Sequence, residues 1–145
     1  MIALLQRVNW AQVRFEKALH AEIDQGILAF IGIEKADTQQ SADRLLEKIL
    51  SLRMFADAAG KMNLDVKQVD GGLLLVSQFT LAASTDKGLR PGFSSAMPPE
   101  PAQALYAYLV EQATAHYPKV ASGLFGADMK IALENDGPVT FILKT

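Results

Sequence analysis

The amino-acid sequence predicts an α+β fold, a mostly antiparallel sheet or barrel with two main helices on one side. Strand patterns occupy both ends of the chain, two segments with helical periodicity lie between them, and one wholly apolar run separates the two helices. The chain has 145 residues. This length favours a single domain over residues 1–145 and suffices for one hydrophobic core.

The first part of the chain predicts strands. Residues 2–8 form a short apolar run, and Val13 and Phe15 alternate with polar neighbours, which is the pattern of a half-buried strand. Residues 27–33 are continuously apolar and follow Gly26. Their length and composition are typical of a strand that is buried on both faces.

The clearest helix follows these strands. Thr38 or Ser41 can serve as its N-cap, Asp43 suits the positive first turn, and segment 57–60, with Gly60 as a turn residue, is expected to end it. Apolar residues at spacings of three and four define one face of this helix: Ala42, Leu45, Leu46, Ile49, Leu52 and Phe55.

A central strand and a second helix come next. Residues 73–76 are wholly apolar and predict a strand. Residues 84–101 are rich in Ser, Gly and Pro and predict a loop whose length is uncommon unless the loop is functional or disordered. Residues 101–116 predict the second helix, which Pro118 ends. Its apolar face contains Leu105, Leu109 and Ala113, flanked by Tyr106 and Val110.

The last third returns to strand patterns. Apolar residues recur at every second position in two runs, 129–134 and 139–144, as expected for strands with one buried face. Between the runs lies Asn135-Asp136-Gly137-Pro138, which by itself predicts a hairpin turn between two strands.

Composition and charge exclude several classes of function. The chain has no cysteine, which removes disulfides, Cys-ligated zinc and a cysteine nucleophile. Its net charge of -2 argues against extensive contact with a nucleic-acid backbone. Neither a signal peptide nor a membrane span is recognisable, so a cytoplasmic location is expected. No phosphate-binding loop, zinc-binding His-Glu motif or Gly-x-Ser-x-Gly elbow occurs, and we expect no metal and no cofactor.

Ser77-Gln78-Phe79-Thr80-Leu81 places two hydroxyls and an amide at the end of the predicted central strand. Such a position can hold side chains and backbone N–H groups ready for an oxyanion, although an ordinary polar strand end explains the same pattern. His20 falls in a predicted strand and His116 at a helix end, where it is expected to interact with the helix C-terminus. A hydrolase on this scaffold would depend on backbone dipoles, positioning and a group of the substrate itself.

Gly137-Pro138 also has two interpretations. The first is the hairpin turn described above. The second is a cis peptide bond, which in proteins is essentially confined to X-Pro sequences. A cis bond would turn two consecutive carbonyl oxygens to the same side, and this rigid pair could test the shape around the α-carbon of a substrate.

Together, Ser77-Gln78-Phe79-Thr80-Leu81 and Asn135-Asp136-Gly137-Pro138-Val139-Thr140 resemble the two signature motifs of the D-aminoacyl-tRNA deacylases. The resemblance covers essentially the whole chain. Further matching segments are Leu5-Gln6-Arg7-Val8, residues 57–64, Lys87-Gly88, Arg90-Pro91, Phe93, Pro98-Pro99 and residues 125–129. The resemblance implies a barrel-like α+β fold, a homodimer, and hydrolysis of the ester between a D-amino acid, or mischarged glycine, and the terminal adenosine of tRNA.

The resemblance also implies roles for individual residues in chiral selection. Gly137-Pro138 would be a cis dipeptide that reaches into the partner subunit's pocket and rejects an L side chain, while a D side chain or glycine passes. Asn135, Val139 and Thr140 belong to the same motif. Arg7 would orient the Gly-Pro segment through its fork of donors, with a surface ion pair as the alternative.

At the ester, Ser77 and Gln78 would bind the amino group or the ribose, and backbone N–H groups near Phe79 and Thr80 would hold the oxyanion. The ribose 2′-hydroxyl is a better candidate for assisting the attack than Thr80, which has no evident base. Phe125 and Met129 would pack against the terminal adenine, with a place in the core as the equally weighted alternative.

The sequence departs from the family pattern at residues 15–18, where Asp-Gly is usual, and at Leu89 and Ala82-Ala83. These departures put contacts with the tRNA body in doubt more than the hydrolysis. Two other functions remain open: a non-catalytic module that binds RNA ends, and a Ser/Thr hydrolase of small esters.

Overall fold

The first strand organises the fold. The structure, a computed structural model, describes residues 1–86 and 88–145. Strand β1 (Ile2–Phe15) is followed by β2 (Ala18–Ile23) and β3 (Gly26–Gly32). Its first half pairs antiparallel with β3 and its second half with β2. One long strand therefore carries two different neighbours on the same side, which lets the sheet curl.

The two helices connect parallel strands. Helix α1 (Gln39–Ser51) and the small antiparallel pair β4 (Phe55–Ala56) and β5 (Met62–Leu64) precede strand β6 (Gly72–Ser77), and helix α2 (Pro99–His116) precedes β7 (Val120–Ser122). β6 pairs parallel with both β3 and β7. Parallel neighbours require such crossover connections.

The final strand β8 (Lys130–Lys144) runs antiparallel along nearly the whole of β1. The sheet order is β2-β1-β3-β6-β7, with β8 on β1. In the middle of the order, where β3 lies beside β6, a Cβ on Gly26 would meet the Gly72 carbonyl oxygen at 2.0 Å. Glycine thus permits the close approach of these two strands. The predicted α+β class with a barrel-like sheet and two helices is confirmed, and the sheet is mixed.

The core has two parts on the two faces of the sheet. The larger part lies under the helices and contains Leu73 and Leu75, and the smaller part contains Leu74 and Val76. Strand β6 is therefore buried on both faces, and so is β3, as their apolar runs predicted. Burying such side chains contributes roughly 1.5–3 kcal/mol each relative to exposure.

The first helix ends earlier than predicted. α1 stops at Ser51, and Phe55 belongs to β4. Asp57 is not a helix end, because its carboxylate accepts hydrogen bonds from the N–H groups of Ala59 and Lys61 and so forms a turn between β4 and β5. Phe55 still reaches the core, so its helical spacing was coincidental.

Three other expectations change at the ends of elements. Thr38 and Ser41 cap α1 together in a reciprocal capping box. Asp43 lies beyond the first turn and instead accepts a hydrogen bond from the Tyr108 hydroxyl at 2.9 Å. The second helix begins at Pro99 rather than Pro101. Neither described helix is long and apolar enough to cross a membrane.

The hairpin predicted at residues 135–138 is absent from this described segment, since both flanking runs belong to the single strand β8. The turn residues form a bulge instead. The physical reason is the length of β1, which offers partners to both halves of β8, so the halves need not pair with each other.

Candidate functional site

A cleft of about 770 Å³ opens where β6 ends. Three segments that are distant in the sequence form its walls: residues 76–79, residues 93–99 and residues 125–129. The volume lies within the roughly 300–1,000 Å³ that is typical of small-ligand sites. Among the described residues that line it, Asp128 has the one ionisable side chain, and Lys130 Nζ lies 3.0 Å from its carboxylate.

The cleft brings together most of the residues of the first motif. Ser77 and Gln78 line it and are partly buried, and Phe79 lines it with 62% of its surface exposed. The Gln78 backbone N–H donates to the Ile31 carbonyl oxygen at 2.7 Å. This bond anchors the start of the motif to the neighbouring strand β3.

A short 3₁₀ helix, Phe79–Ala82, follows directly. The backbone N–H groups of Phe79 and Thr80 find no acceptor among the described residues, as is usual at a helix start. Neither donor is used within the described part of the chain, and Phe79 itself lines the cleft.

Thr80 is exposed and does not belong to the residues described as lining the cleft. Its hydroxyl oxygen accepts a hydrogen bond from Gln78 Nε2. The cleft lining in the described part of the chain contains neither His20 nor His116. His116 ends α2, with Nδ1 2.8 Å from the Gln112 carbonyl oxygen, so its predicted place at the helix C-terminus is confirmed.

The opposite wall contains Phe125 and Met129, both partly buried. The Phe125 ring packs on Tyr106 with centroids 5.8 Å apart. The Met129 sulfur accepts a hydrogen bond from the Leu124 N–H at 3.2 Å. Each residue thus packs against the core on one side and lines the cleft on the other, so the two interpretations of these residues are compatible.

Tyr106 supports this wall from beneath. Its hydroxyl donates to the Leu75 carbonyl oxygen at 2.9 Å, and burial raises its pKa well above the ordinary value. Its helical spacing predicted a flanking position on α2, but nothing in the sequence connected it with the cleft.

Sequence reasoning also missed a role for the loop before α2. Phe93, Met97 and Pro98 line the cleft, and the Phe93 ring lies 5.1 Å from that of Phe79. The unusual length of the loop was one signal, and the match of Phe93 and Pro98-Pro99 to the family pattern was another. Of the loop segments that matched the resemblance, Lys87 lies outside the described residues.

The second motif lies elsewhere in the chain. The Gly137-Pro138 peptide bond is cis, and both residues are exposed. Within the described part of the chain, none of residues 135–140 lines the cleft. A single copy of the chain therefore keeps the two motifs apart.

Arg7 contacts the start of the second motif at Asp136. Its Nε lies 2.8 Å from Asp136 Oδ2, an ion-pair distance without the geometry of a hydrogen bond. Its NH1 donates to the Met54 carbonyl oxygen at 2.7 Å. Arg7 therefore meets the second motif through an ion pair with Asp136, and its role in orienting the dipeptide stays a prediction. Its acceptor on Met54 is a main-chain atom that residue types alone do not reveal.

A family model described as D-Tyr-tRNA(Tyr) deacylase matches residues 4–144. A D-aminoacyl-tRNA deacylase of Cellvibrio japonicus (strain Ueda107) is 56% identical over 144 residues, covering 99% of each chain. One of Chromohalobacter salexigens is 55% identical over 145 residues, covering 100% of each chain.

Two solved structures share the fold. One, described as c-Myc DNA Unwinding Element Binding Protein, is 38% identical with a TM-score of 0.96, over 100% of this chain and 99% of that one. The other, described as a probable eukaryotic D-amino acid tRNA deacylase, is 14% identical with a TM-score of 0.88, over 99% and 98%. The second supports the fold alone.

Proposed function

The chain belongs to the D-Tyr-tRNA(Tyr) deacylase family, and on that premise we propose that it hydrolyses the ester of D-aminoacyl-tRNA, releasing a free D-amino acid and tRNA. One observation carries the proposal beyond family membership. The cleft unites the Ser77-Gln78-Phe79 segment with Phe125 and Met129. It thus joins polar groups suited to an ester with apolar groups suited to a base.

The apolar wall fits the end of an RNA strand. Unpaired bases are recognised by stacking on aromatic side chains and by contacts in shaped pockets. Phe125 and Met129 would pack against the terminal adenine. With a chain charge of -2, binding would depend little on the phosphate backbone and would weaken only modestly with salt.

The polar end of the cleft fits ester hydrolysis. Water adds to the carbonyl carbon, the carbonyl oxygen takes the negative charge, and the bond to the ribose oxygen breaks. The ribose oxygen receives the proton that the water gives up. The available N–H groups of Phe79 and Thr80 would stabilise the oxyanion, a type of contact that is worth roughly 2.7–4 kcal/mol per donor in a known protease.

The attack would be assisted by the substrate. Among the described cleft residues there is no histidine or lysine to activate the Thr80 hydroxyl, which already accepts a hydrogen bond from Gln78. The neighbouring 2′-hydroxyl of the terminal ribose is therefore the better candidate.

Chiral selection would require a second copy of the chain. Gly137-Pro138 is exposed and lies outside its own cleft, so it is available to reach into a partner's cleft. There its carbonyl oxygens would collide with an L side chain, whereas a D side chain or glycine would pass. Glycine mischarged on tRNA-Ala would then also be a substrate.

The outer face of β8 supports a homodimer. In the described sheet, β8 pairs with β1 alone, and Phe141 and Ile142 are 36% and 64% exposed. An open edge with apolar side chains is a surface that proteins normally cover. Because translation supplies the substrate, we expect the enzyme in the cytoplasm.

A turnover assay tests the proposal. Catalytic amounts of protein are mixed with D-tyrosyl-tRNA and with L-tyrosyl-tRNA, and ester loss is followed. Many turnovers on the D substrate with little loss of the L substrate are expected. If each protein molecule instead binds one molecule of substrate and slows the loss of its ester, the protein is a binding module. The binding-module alternative is retained because the 38%-identical solved structure is described as a DNA Unwinding Element binding protein.

A further inference from the structure

The second motif sits on an unusually large irregularity of the sheet. Gln6 pairs with Thr140 and Val8 with Asn135. Four residues of β8, 136–139, therefore lie opposite Arg7 alone. An ordinary bulge has two residues opposite one. The extra length carries Gly137-Pro138 away from the ladder and leaves main-chain groups there without their usual partners.

The Asn135 side chain supplies the missing donors. Its Nδ2 donates to the Arg7 carbonyl oxygen at 2.9 Å and to the Val139 carbonyl oxygen at 3.0 Å. Both hydrogens of the amide are used in this way. Because both partners are carbonyl oxygens, which only accept hydrogen bonds, the orientation of the amide is determined.

These two hydrogen bonds connect the two ends of the bulge with each other and with β1. One joins its first flanking residue, Asn135, to its last residue, Val139. The other joins the same amide to β1 at Arg7, whose guanidinium lies beside Asp136. Main chain and side chain of Arg7 thus both contact the two residues that precede Gly137-Pro138, and the Asn135 amide connects them to Val139, which follows the dipeptide.

We infer that Asn135 is a positioning residue for chiral selection, which holds Gly137-Pro138 in place through its amide without touching the substrate. The effect on chiral selection rests on the proposed function, whereas the positioning of Gly137-Pro138 by Asn135 does not. Loss of the amide would let the dipeptide shift while the strand on either side stays paired. A displaced dipeptide would no longer collide with an L side chain at the required place.

The test compares Asn135→Ala and Asn135→Asp with Asn9→Ala. The Asp variant keeps the shape of the side chain but turns an acceptor towards two carbonyl oxygens. Asn9 is a matched control, because its amide also bridges β1 and β8, to Glu134 Oε1 at 2.6 Å, outside the bulge. The readout is the ratio of the kcat/KM values for D-tyrosyl-tRNA and L-tyrosyl-tRNA.

Both Asn135 variants should lower this ratio by roughly tenfold or more, the scale of one to two lost hydrogen bonds, and Asn9→Ala should leave it unchanged. A merely structural role would reduce the amount of active enzyme and scale both substrates equally. An unchanged ratio would therefore overturn the inference.

Crystal structures of the Asn135 variants provide a second measurement that does not depend on activity. Gly137-Pro138 should move while residues 140–144 keep their pairing with β1. A dipeptide that stays in place in these variants would contradict the inference, whether or not the wild-type protein is active. Absence of aminoacyl-tRNA hydrolysis by the wild-type protein would contradict the proposed function separately.

Discussion

Arg7 and Asp136 face each other across the bulge of β8, with Nε and Oδ2 2.8 Å apart. The side chain of Arg7 is only 13% exposed, and that of Asp136 is 38% exposed. The same guanidinium donates to the Met54 carbonyl oxygen. The Arg7 guanidinium, which extends from β1, therefore links Asp136 in the bulge with the backbone of Met54 in the segment that follows α1.

The first prediction concerns Arg7→Lys. An ammonium group on a flexible stem cannot reach Asp136 and the Met54 carbonyl oxygen in the same fixed geometry. Losing one hydrogen bond of a charged group costs roughly 1.5–3 kcal/mol. We expect kcat/KM for D-tyrosyl-tRNA to fall by roughly 10- to 100-fold. Arg14→Lys, at an exposed position of the same strand, is the control and should retain the wild-type value.

The second prediction concerns Gly137→Ala. The added methyl should crowd the partner's pocket into which the dipeptide is proposed to reach. In the structure it would also meet Val139 Cγ2 at 2.7 Å and Arg7 NH2 at 3.1 Å, and the Gly137 φ of 122° disfavours alanine. Such backbone strain costs of order 1–3 kcal/mol. We expect D-substrate hydrolysis to drop strongly and Tm to fall by roughly 3–10 °C.

Gly92→Ala is the control for that experiment. Its methyl would lie 3.8 Å from the Ser84 carbonyl oxygen, an ordinary contact, and both Tm and rate should be nearly unchanged. Wild-type rates in Gly137→Ala would argue against a role of this dipeptide in the reaction.

The third prediction tests whether the Thr80 hydroxyl or the 2′-hydroxyl of the substrate takes part in the reaction. Thr80→Ala should keep the rate of ester loss within roughly tenfold of wild type, since a single neutral hydrogen bond is lost. A tRNA ending in 2′-deoxyadenosine should be hydrolysed far more slowly by the wild-type protein. Abolished activity in Thr80→Ala, together with rapid hydrolysis of nitrophenyl esters by the wild type, would favour a small-ester hydrolase instead.

The fourth prediction concerns the support of the cleft wall. Tyr106→Phe removes the bond to the Leu75 carbonyl oxygen, which keeps a second donor in the Gly123 N–H at 2.8 Å. The free energy of unfolding should fall by about 1 kcal/mol. The Phe125 ring keeps an aromatic neighbour, so kcat/KM should change little.

The stability difference between wild type and Tyr106→Phe should also depend on pH. Burial raises the pKa of Tyr106 in the folded state, so its contribution is fully present below the unfolded value of about 10 and is lost as the pH rises above it. Denaturant titrations at neutral and alkaline pH measure this. A difference that grows with pH would contradict the assignment.

Periodicity predicted those parts of the fold that depend on short-range pattern. The apolar runs identified the doubly buried strands, and the spacing of Leu105, Leu109 and Ala113 identified the buried face of α2. The same reasoning failed at Phe55 because a buried side chain at helical spacing is compatible with a strand that follows the helix. Periodicity records burial, and several backbone paths can bury the same residue.

The turn chemistry of residues 135–138 shows a second limit. Gly and Pro correctly marked an interruption of the strand, yet such signals do not say which strands pair. The Asn135 amide bonds to a carbonyl oxygen 128 residues away. Only the long-range pairing of β8 with β1 turns an apparent hairpin into a bulge.

By itself, the sequence determined the class of fold, the two motifs, the family that they indicate and the residue types available for chemistry. The tertiary structure decided that Ser77 and Phe125 line one cleft, that Gly137-Pro138 lies outside it, and that Arg7 and Asn135 contact the residues around the dipeptide. The physical reason is that local propensity acts over a few residues, whereas strand pairing and core packing select partners from the whole chain.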